Sequence, residues 1–145
     1  MRNLLMISIV LFLFSCQSGN EERNAEKQIR DEIYAIHDDV MPKTSEIHRL
    51  KRQLKKIPDQ NIPDPVVKKQ ILETVVILEK ADEGMMSWMN SFKEPAKLRK
   101  AKTHEEIMVY LDEEKAKISQ VRSDMLNSIE TAKALLATLK PEDKK

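Results

Sequence analysis

The chain has 145 residues and a formal net charge of +1, with 34% of its side chains charged. This near-even balance of charges excludes the strongly basic surface of a typical nucleic-acid-binding domain, so we expect no nucleic-acid partner. Glycine occurs only twice and aromatic residues are scarce, whereas Glu, Lys, Leu, Ile and Ala are frequent. This composition is typical of long amphipathic helices.

The chain begins with the layout of a secretory signal peptide. Arg2 supplies one positive charge before a largely apolar run at 4–14. A helix needs roughly 20 apolar residues to cross a bilayer core, so this run is too short to be a membrane span. We therefore predict a signal peptide over 1–15.

The end of this run resembles the lipobox of bacterial lipoproteins. It reads Leu13-Phe14-Ser15-Cys16: an aliphatic residue, two further residues of which the last is small, and the cysteine. The resemblance implies that the Cys16 thiol receives diacylglycerol, that the peptide is cut before it, and that the new amino group is acylated with a chain such as palmitate. Cys16 is the sole cysteine, and an ordinary signal peptide with an incidental cysteine is the alternative. Residues 16–22 would then be a lipidated tether to a membrane.

Hydrophobic periodicity predicts a first helix over about 22–57. Its apolar side chains recur with heptad spacing at Ile29, Ile33, Ile36, Val40, Ile47, Leu50, Leu54 and Ile57. Pro42 lies inside this pattern, where a proline removes a backbone donor and crowds the carbonyl group of Asp38. We expect either a kink near Pro42 or two abutting helices.

Two further helices are predicted over about 65–92 and 104–139. Asp64 is expected to cap the second helix, because Asp is a preferred N-cap residue and the proline that follows it suits the first helical position. Thr103 and Glu106 have the spacing of a capping box at the start of the third helix. No segment of the sequence has the alternating pattern of a strand.

These helices predict an all-α fold, an antiparallel three-helix bundle over 23–141 with a charged tail at 142–145. Short connections between helices favour antiparallel neighbours that cross at small angles. A long helical hairpin that dimerises is the alternative, so a homodimer is one expected assembly.

Several metal-capable side chains are predicted to share one level of this bundle. Aligning the helices by their loops places His37 near Met85 and Val40 near Asp82, with an error of about one helical turn. Asp82 and Glu114 interrupt otherwise apolar stripes. The full candidate set is His37, Met41, Asp82, Met85, Met89 and Glu114.

Imidazole, thioether and carboxylate groups together could bind a transition metal, and thioethers favour copper in its Cu(I) state. A His/Met pair inside a helical bundle could also ligate haem. The plainer interpretation is structural, because methionine fills irregular gaps between helices and buried carboxylates can fix helix register by pairing with His37, Lys43 or Lys80. We favour this interpretation and expect no cofactor, with copper, another transition metal or haem as the alternative.

Three surface features follow from the same pattern. The connector between the second and third helices carries cations that could contact anionic headgroups, or it is a solvated basic loop. These cations are Lys93, Lys97, Arg99, Lys100 and Lys102. Met86 and Trp88 flank the apolar stripe and could form an exposed patch for a partner. His48 and His104 fall off the stripe and are predicted at the surface.

The sequence offers no set of residues for catalysis. It has no Ser/His/Asp arrangement, and a Cys/His pair is excluded because the only cysteine is assigned to lipid attachment. Gly84 is its only glycine beyond the tether, so a glycine-rich phosphate loop is missing. We therefore predict a protein that is not an enzyme.

Three segments resemble a group of small Bacteroidetes lipoproteins, often labelled hypothetical or "viral A-type inclusion protein". These are IHDDVMP at 36–42, ADEGMMSWM at 81–89 and YLDEE at 110–114. The resemblance covers most of the mature chain and implies a Gram-negative cell, but no known activity. In such cells Gln17 after the cysteine resembles the pattern sorted to the outer membrane, and Glu21-Glu22 resembles the acidic stretch that leads to surface display. We expect a lipid-anchored envelope protein, on the periplasmic or the surface leaflet, that binds another envelope protein.

Overall fold

The computed structural model of the protein is all-helical over the residues that it describes. These are 2–58, 62 and 64–139, with side chains from residue 19 onward. The side chain of Cys16, the predicted lipidation site, and the tail at 142–145 lie outside this described part. Among the described residues, no helix combines the length and apolar character that crossing a bilayer requires.

The helices confirm the long helical segments expected from the sequence. In chain order they are α1 (Arg2–Val40), α2 (Thr44–Lys55), α3 (Pro65–Ser91), α4 (Pro95–Leu98) and α5 (His104–Leu139). The bounds of α3 and α5 agree with the predicted helices to within a residue. Helix α1 continues on the N-terminal side of its predicted start, through the segment expected to be a tether at 16–22. The short helix α4 was not predicted.

The interruption expected at Pro42 is confirmed. A single 3-10 turn, Met41–Lys43, separates α1 from α2, and the proline is its middle residue. Because proline has no N–H group, it cannot donate to the carbonyl group of Asp38 in an α-helical pattern. The chain tightens into the 3-10 turn and the α-helix resumes at Thr44, so one predicted helix becomes two abutting ones.

Both predicted N-terminal caps are present. The Asp64 carboxylate accepts a hydrogen bond from the backbone N–H of Val66 at 2.8 Å, at the start of α3. At the start of α5, the N–H of Thr103 donates to Glu106 Oε2 at 2.8 Å and the N–H of Glu106 donates to Thr103 Oγ1 at 3.3 Å. These bonds satisfy backbone donors that have no partner within the helix, and they fix where each helix begins.

The contacts of the chain fall into two compact units. Unit 1 contains the described residues up to Tyr34 together with Lys93–Lys115, and unit 2 contains Ala35–Phe92 together with the described residues from Ala116 onward. The sequence had predicted one bundle over 23–141. Helices α1 and α5 each contribute residues to both units.

Unit 1 buries Ile33, Ile107 and Leu111 completely. On its surface, Lys115 Nζ donates to Glu32 Oε2 at 2.5 Å, an ion pair that joins α5 to α1. The hydrogen bond from Lys115 lowers the pKa of Glu32, and the same bond raises the pKa of Lys115. An exposed pair of this kind contributes little to stability, so the apolar side chains hold this unit together.

In unit 2, the ion pairs show the direction of the helices. Lys55 lies 2.8 Å from Glu79, and further along the same two helices His48 lies 2.9 Å from Asp82, so α2 and α3 run antiparallel. Lys133 of α5 lies 2.8 Å from Glu46 of α2. Hydrogen bonds from the lysines lower the pKa of Glu79 and of Glu46. The buried side chains between these pairs form the core, including Ile47, Leu50, Leu54, Leu78, Ile118 and Met125.

Two leucines of α3 test this division into core and surface. Leu78 is 0% exposed and Leu72 is 60% exposed. We expect Leu78→Ala to lower the free energy of unfolding by about 2–5 kcal/mol, because it leaves a cavity in the core. Leu72→Ala should change it by less than about 0.5 kcal/mol. Denaturant unfolding of the detergent-solubilised chain, followed by circular dichroism, measures both. Equal losses in the two variants would contradict the burial pattern.

Candidate functional site

The closest contact among the predicted metal-capable residues joins His37 to Met89. His37, near the end of α1, places its Nε2 atom 3.3 Å from the Sδ atom of Met89 on α3. Its other ring nitrogen, Nδ1, lies 2.9 Å from Asp38 Oδ1. The His37 side chain is only 19% exposed, whereas that of Asp38 lies largely in solvent. The imidazole is therefore held between a thioether on its inner side and a carboxylate on its outer side.

An aromatic side chain covers the same imidazole. The ring of Trp88 lies 5.7 Å from that of His37 and 5.2 Å from that of Phe92, measured between centroids. Trp88 is buried, whereas Met86 is 46% exposed. The expectation that both would form an exposed patch is thus wrong for Trp88. The reason is helical spacing, because Trp88 follows the buried Met85 by three residues and so shares its inward face.

Two further predicted ligands lie in the same unit, one turn away along the chain. Met85 precedes Met89 by one turn of α3 and is fully buried. Met41 follows His37 by one turn, is half-buried, and has its Sδ atom 3.9 Å from Thr44 Oγ1. Each pair of residues projects from one face of its own segment. Unit 2 thus contains one imidazole and three thioethers of the predicted set.

Asp82 does not meet His37. Its carboxylate lies 2.9 Å from His48 Nε2 of α2, and both side chains are partly exposed. The sequence alignment of the helices placed His37 beside Met85, but the structure places it beside Met89, one helical turn further on. That shift turns Asp82 toward α2, so the histidine predicted at the surface is its partner.

Glu114 belongs to unit 1, whereas the other five residues of the predicted set belong to unit 2. Its side chain is buried, as the interrupted apolar stripe suggested. Within the described part of the chain, no cluster of three or more His, Cys, Asp or Glu residues could hold a metal ion. Of the predicted set, Met89 thus contacts His37, and Asp82 contacts His48.

Sequence analysis missed a second polar cluster, which lies in unit 1. Glu26 of α1 is 2% exposed. Its Oε2 atom accepts hydrogen bonds from the Arg99 guanidinium, with Nε at 2.9 Å, and its Oε1 atom lies 3.0 Å from His104 Nδ1. These three residues line a cavity of about 330 Å³. Glu26 lies one heptad before the buried Ile33, so extending the apolar repeat backwards would have identified it as an inward position.

The predicted basic connector divides its cations between two roles. Arg99 pairs with the buried carboxylate of Glu26, so much of its charge is compensated within unit 1. The four lysines, Lys93, Lys97, Lys100 and Lys102, are exposed. The backbone N–H of Lys93 donates to the hydroxyl oxygen of Tyr110 at 2.7 Å and anchors the start of the connector to α5.

No family model, curated protein or solved structure matches the chain. The resemblance to Bacteroidetes lipoproteins stays a prediction for this reason. Function is therefore argued from the residues and their surroundings.

The Glu26 cluster generates a stability prediction. Glu26→Ala should lower the free energy of unfolding by about 2–4 kcal/mol, because Arg99 and His104 lose their shared buried acceptor. The control is Glu22→Ala, which removes an exposed carboxylate that lines the same cavity and should cost less than about 0.5 kcal/mol. Thermal unfolding of both variants measures the difference, and a smaller loss for Glu26→Ala than for Glu22→Ala would refute this role.

Proposed function

We propose that the protein is an envelope lipoprotein, anchored by lipid on Cys16, whose helices present a binding surface to another envelope protein. It acts as a structural or interaction module and not as an enzyme. An apolar strip exposed on α3 is the observation that carries the interaction part of the proposal. The sequence from Arg2 to Cys16 supports the anchoring part.

The anchor is proposed from the order of chemical groups at the N-terminus. A positive charge, a short apolar run and a small residue before a cysteine suit a signal peptidase that cuts next to a lipidated thiol. More than one acyl chain on the new N-terminus would hold the protein stably, whereas a single chain binds a membrane only weakly. Gln17 favours the outer membrane as the destination. The exposed lysines of the connector, such as Lys97 and Lys100, would add attraction to anionic headgroups where they reach them.

The binding surface is proposed on α3. Large apolar side chains in the first half of this helix face solvent at Leu72, Val76 and Ile77, and a fourth, Val66, lies near the helix start on a different face. Leu72 and Val76 are one turn apart, so they project side by side, and Ile77 follows Val76 directly. Isolated exposed apolar residues are ordinary, whereas a group of neighbouring ones is more typical of an interaction site.

A groove beside this strip enlarges the surface. It has a volume of about 430 Å³, lies between α3 and α5 within unit 2, and includes Thr74, Ile77 and Leu135 in its lining. An amphipathic helix from a partner could place one apolar side chain in such a groove while it covers the strip. This is the arrangement that supports a protein partner over a small polar ligand.

We also propose that α2, α3 and the C-terminal half of α5 pack as a three-helix bundle in unit 2, with α3 antiparallel to the other two. The support comes from cross-helix pairs. Asp39, at the end of α1, lies 3.0 Å from Arg122 of α5, and Glu46 of α2 lies 2.8 Å from Lys133 of α5. The residue numbers therefore increase in the same direction along the α1–α2 segment and along α5. This is expected when the first and third helices of a bundle with short connections run parallel.

The lipid anchor is tested in a Gram-negative host that expresses the full precursor. Cys16→Ala should abolish incorporation of labelled palmitate and leave the uncut precursor, because the thiol is the lipid acceptor. Ser18→Ala, close by in the chain, should be labelled and processed as the unaltered protein is. Label and cleavage that persist in Cys16→Ala would refute the anchor, as would an unaltered protein that takes up no lipid.

The surface on α3 is tested by replacing one of its exposed residues. Leu72→Lys should weaken capture of an envelope partner by about tenfold, because a charge is placed in an apolar contact. The matched control is Val109→Lys, which changes an exposed apolar residue of α5 and should leave capture unchanged. Chemical cross-linking in intact cells, followed by quantitative mass spectrometry, measures both. Equal capture by the two variants would contradict the proposed surface, and capture of a second copy alone would make the assembly a homodimer.

A further inference from the structure

We propose that His37 and Met89 are ligands of a Cu(I) site in unit 2, with the thioethers of Met41 and Met85 as the further ligands. This inference concerns a metal ion, whereas the proposed function concerns anchoring and a protein partner. It starts from the contact between His37 Nε2 and Met89 Sδ, which are 3.3 Å apart.

The tautomer of His37 decides what this contact can do. A neutral imidazole has one N–H donor and one lone pair, and a thioether sulfur is a weak acceptor with no proton to donate. If Nε2 carries the proton, it donates to Met89 Sδ, and water can satisfy the exposed Asp38 carboxylate. If Nδ1 carries the proton, it donates to Asp38 Oδ1 at 2.9 Å, and the lone pair of Nε2 points toward the sulfur and is available to a metal ion.

The second tautomer suits a metal ion shared by the ring and the sulfur. The ion would be bound by Nε2 and by Met89 Sδ, with the proton of Nδ1 held by Asp38. Metal-binding histidines commonly donate their second ring N–H to a carboxylate in this way, which orients the ring and increases its basicity.

The distance also suits a shared metal ion. With bonds of roughly 2.0 Å to nitrogen and 2.3 Å to sulfur, two ligand atoms at a tetrahedral angle lie roughly 3.5 Å apart. The observed 3.3 Å is within a few tenths of an ångström of that value. Ligands on opposite sides of one ion would be roughly 4.3 Å apart, so the geometry favours an angular site over the axial ligation of a haem iron.

The ligand types select the metal. Thioether sulfur is a soft ligand and prefers Cu(I), whereas carboxylates suit harder divalent ions. Asp38 lies at the ring nitrogen that would carry the proton. Of the other predicted ligands in unit 2, Asp82 pairs with His48. The remaining candidates, Met41 and Met85, are both thioethers.

The surroundings are suited to a monovalent cation. Met85 is fully buried and Trp88 is nearly so, so the inner side of the site is shielded from water. The indole ring of Trp88 lies 5.7 Å from the imidazole, measured between centroids. One positive charge costs less to bury there than two.

The test uses the full chain with Cys16→Ser, solubilised in detergent, because this change removes the only thiol. Cu(I) is added without oxygen in the presence of bicinchoninate, a chelator that competes for it. We expect the protein to take one equivalent and to quench the fluorescence of Trp88, the only tryptophan of the chain. X-ray absorption at the copper edge should show nitrogen and sulfur ligands.

Matched variants separate the site from general binding by methionine or histidine. Met89→Leu conserves volume and should keep the fold, which circular dichroism checks, while it lowers Cu(I) affinity by at least about tenfold. His37→Asn should do the same. Met86→Leu and His48→Asn, which alter the exposed methionine and the histidine paired with Asp82, should bind as the parent does.

Two results would overturn the inference. The first is a parent protein that takes no Cu(I) from the competitor and shows no change in Trp88 fluorescence. The second is folded Met89→Leu or His37→Asn protein with the same affinity as Met86→Leu and His48→Asn. In either case no metal ion joins the imidazole to the sulfur, and the contact serves packing alone.

Discussion

The register of α3 against the α1–α2 segment decides which polar side chains meet in unit 2. With His37 beside Met89, the next histidine along the chain, His48, faces Asp82. A shift of one turn would place His37 beside Met85, one turn closer to Asp82, and would separate Asp82 from His48. Register is fixed by the buried apolar side chains between the helices, since exposed ion pairs contribute little. The chemistry of the polar residues is therefore a consequence of how the core packs.

Features that depend on neighbours in the chain could be predicted, and features that depend on packing could not. The helix starts at Asp64 and Thr103 and the break at Pro42 follow from groups within a few residues, and all three are confirmed. The register between helices depends on the path of the loop before α3 and on side-chain volumes, which a periodic pattern does not contain. This is why the sequence could propose methionines and Asp82 for one level but could not show that Met89 contacts His37 and Asp82 contacts His48.

Unit 1 shows a different limit of periodicity. The heptad of α1 extends back to Glu26, where an apolar residue would be expected. The Glu26 carboxylate contacts Arg99 and His104, which follow α3 in the chain. A buried charge is tolerated only when its hydrogen bonds are satisfied. Here the connector that follows α3 supplies Arg99, and the first residue of α5 is His104. The basic connector, which the sequence suggested could contact a membrane, thus also stabilises α1 through the pair between Arg99 and Glu26.

The two histidines of unit 2, His37 and His48, have different neighbours: one contacts a soft sulfur ligand and the other a hard carboxylate ligand. His48 has a carboxylate partner and considerable exposure, whereas His37 has sulfur and an indole on its inner side. In an oxidising envelope, where we propose that the protein lies, thiol ligands tend to form disulfides, and the proposed anchoring uses the only thiol, that of Cys16. Thioethers keep their affinity for Cu(I) without forming disulfides, so methionine would be the soft ligand suited to that compartment. The proposed lipid anchor on Cys16 and the proposed Cu(I) site at His37 and Met89 are chemically compatible for this reason, although each is proposed from different residues.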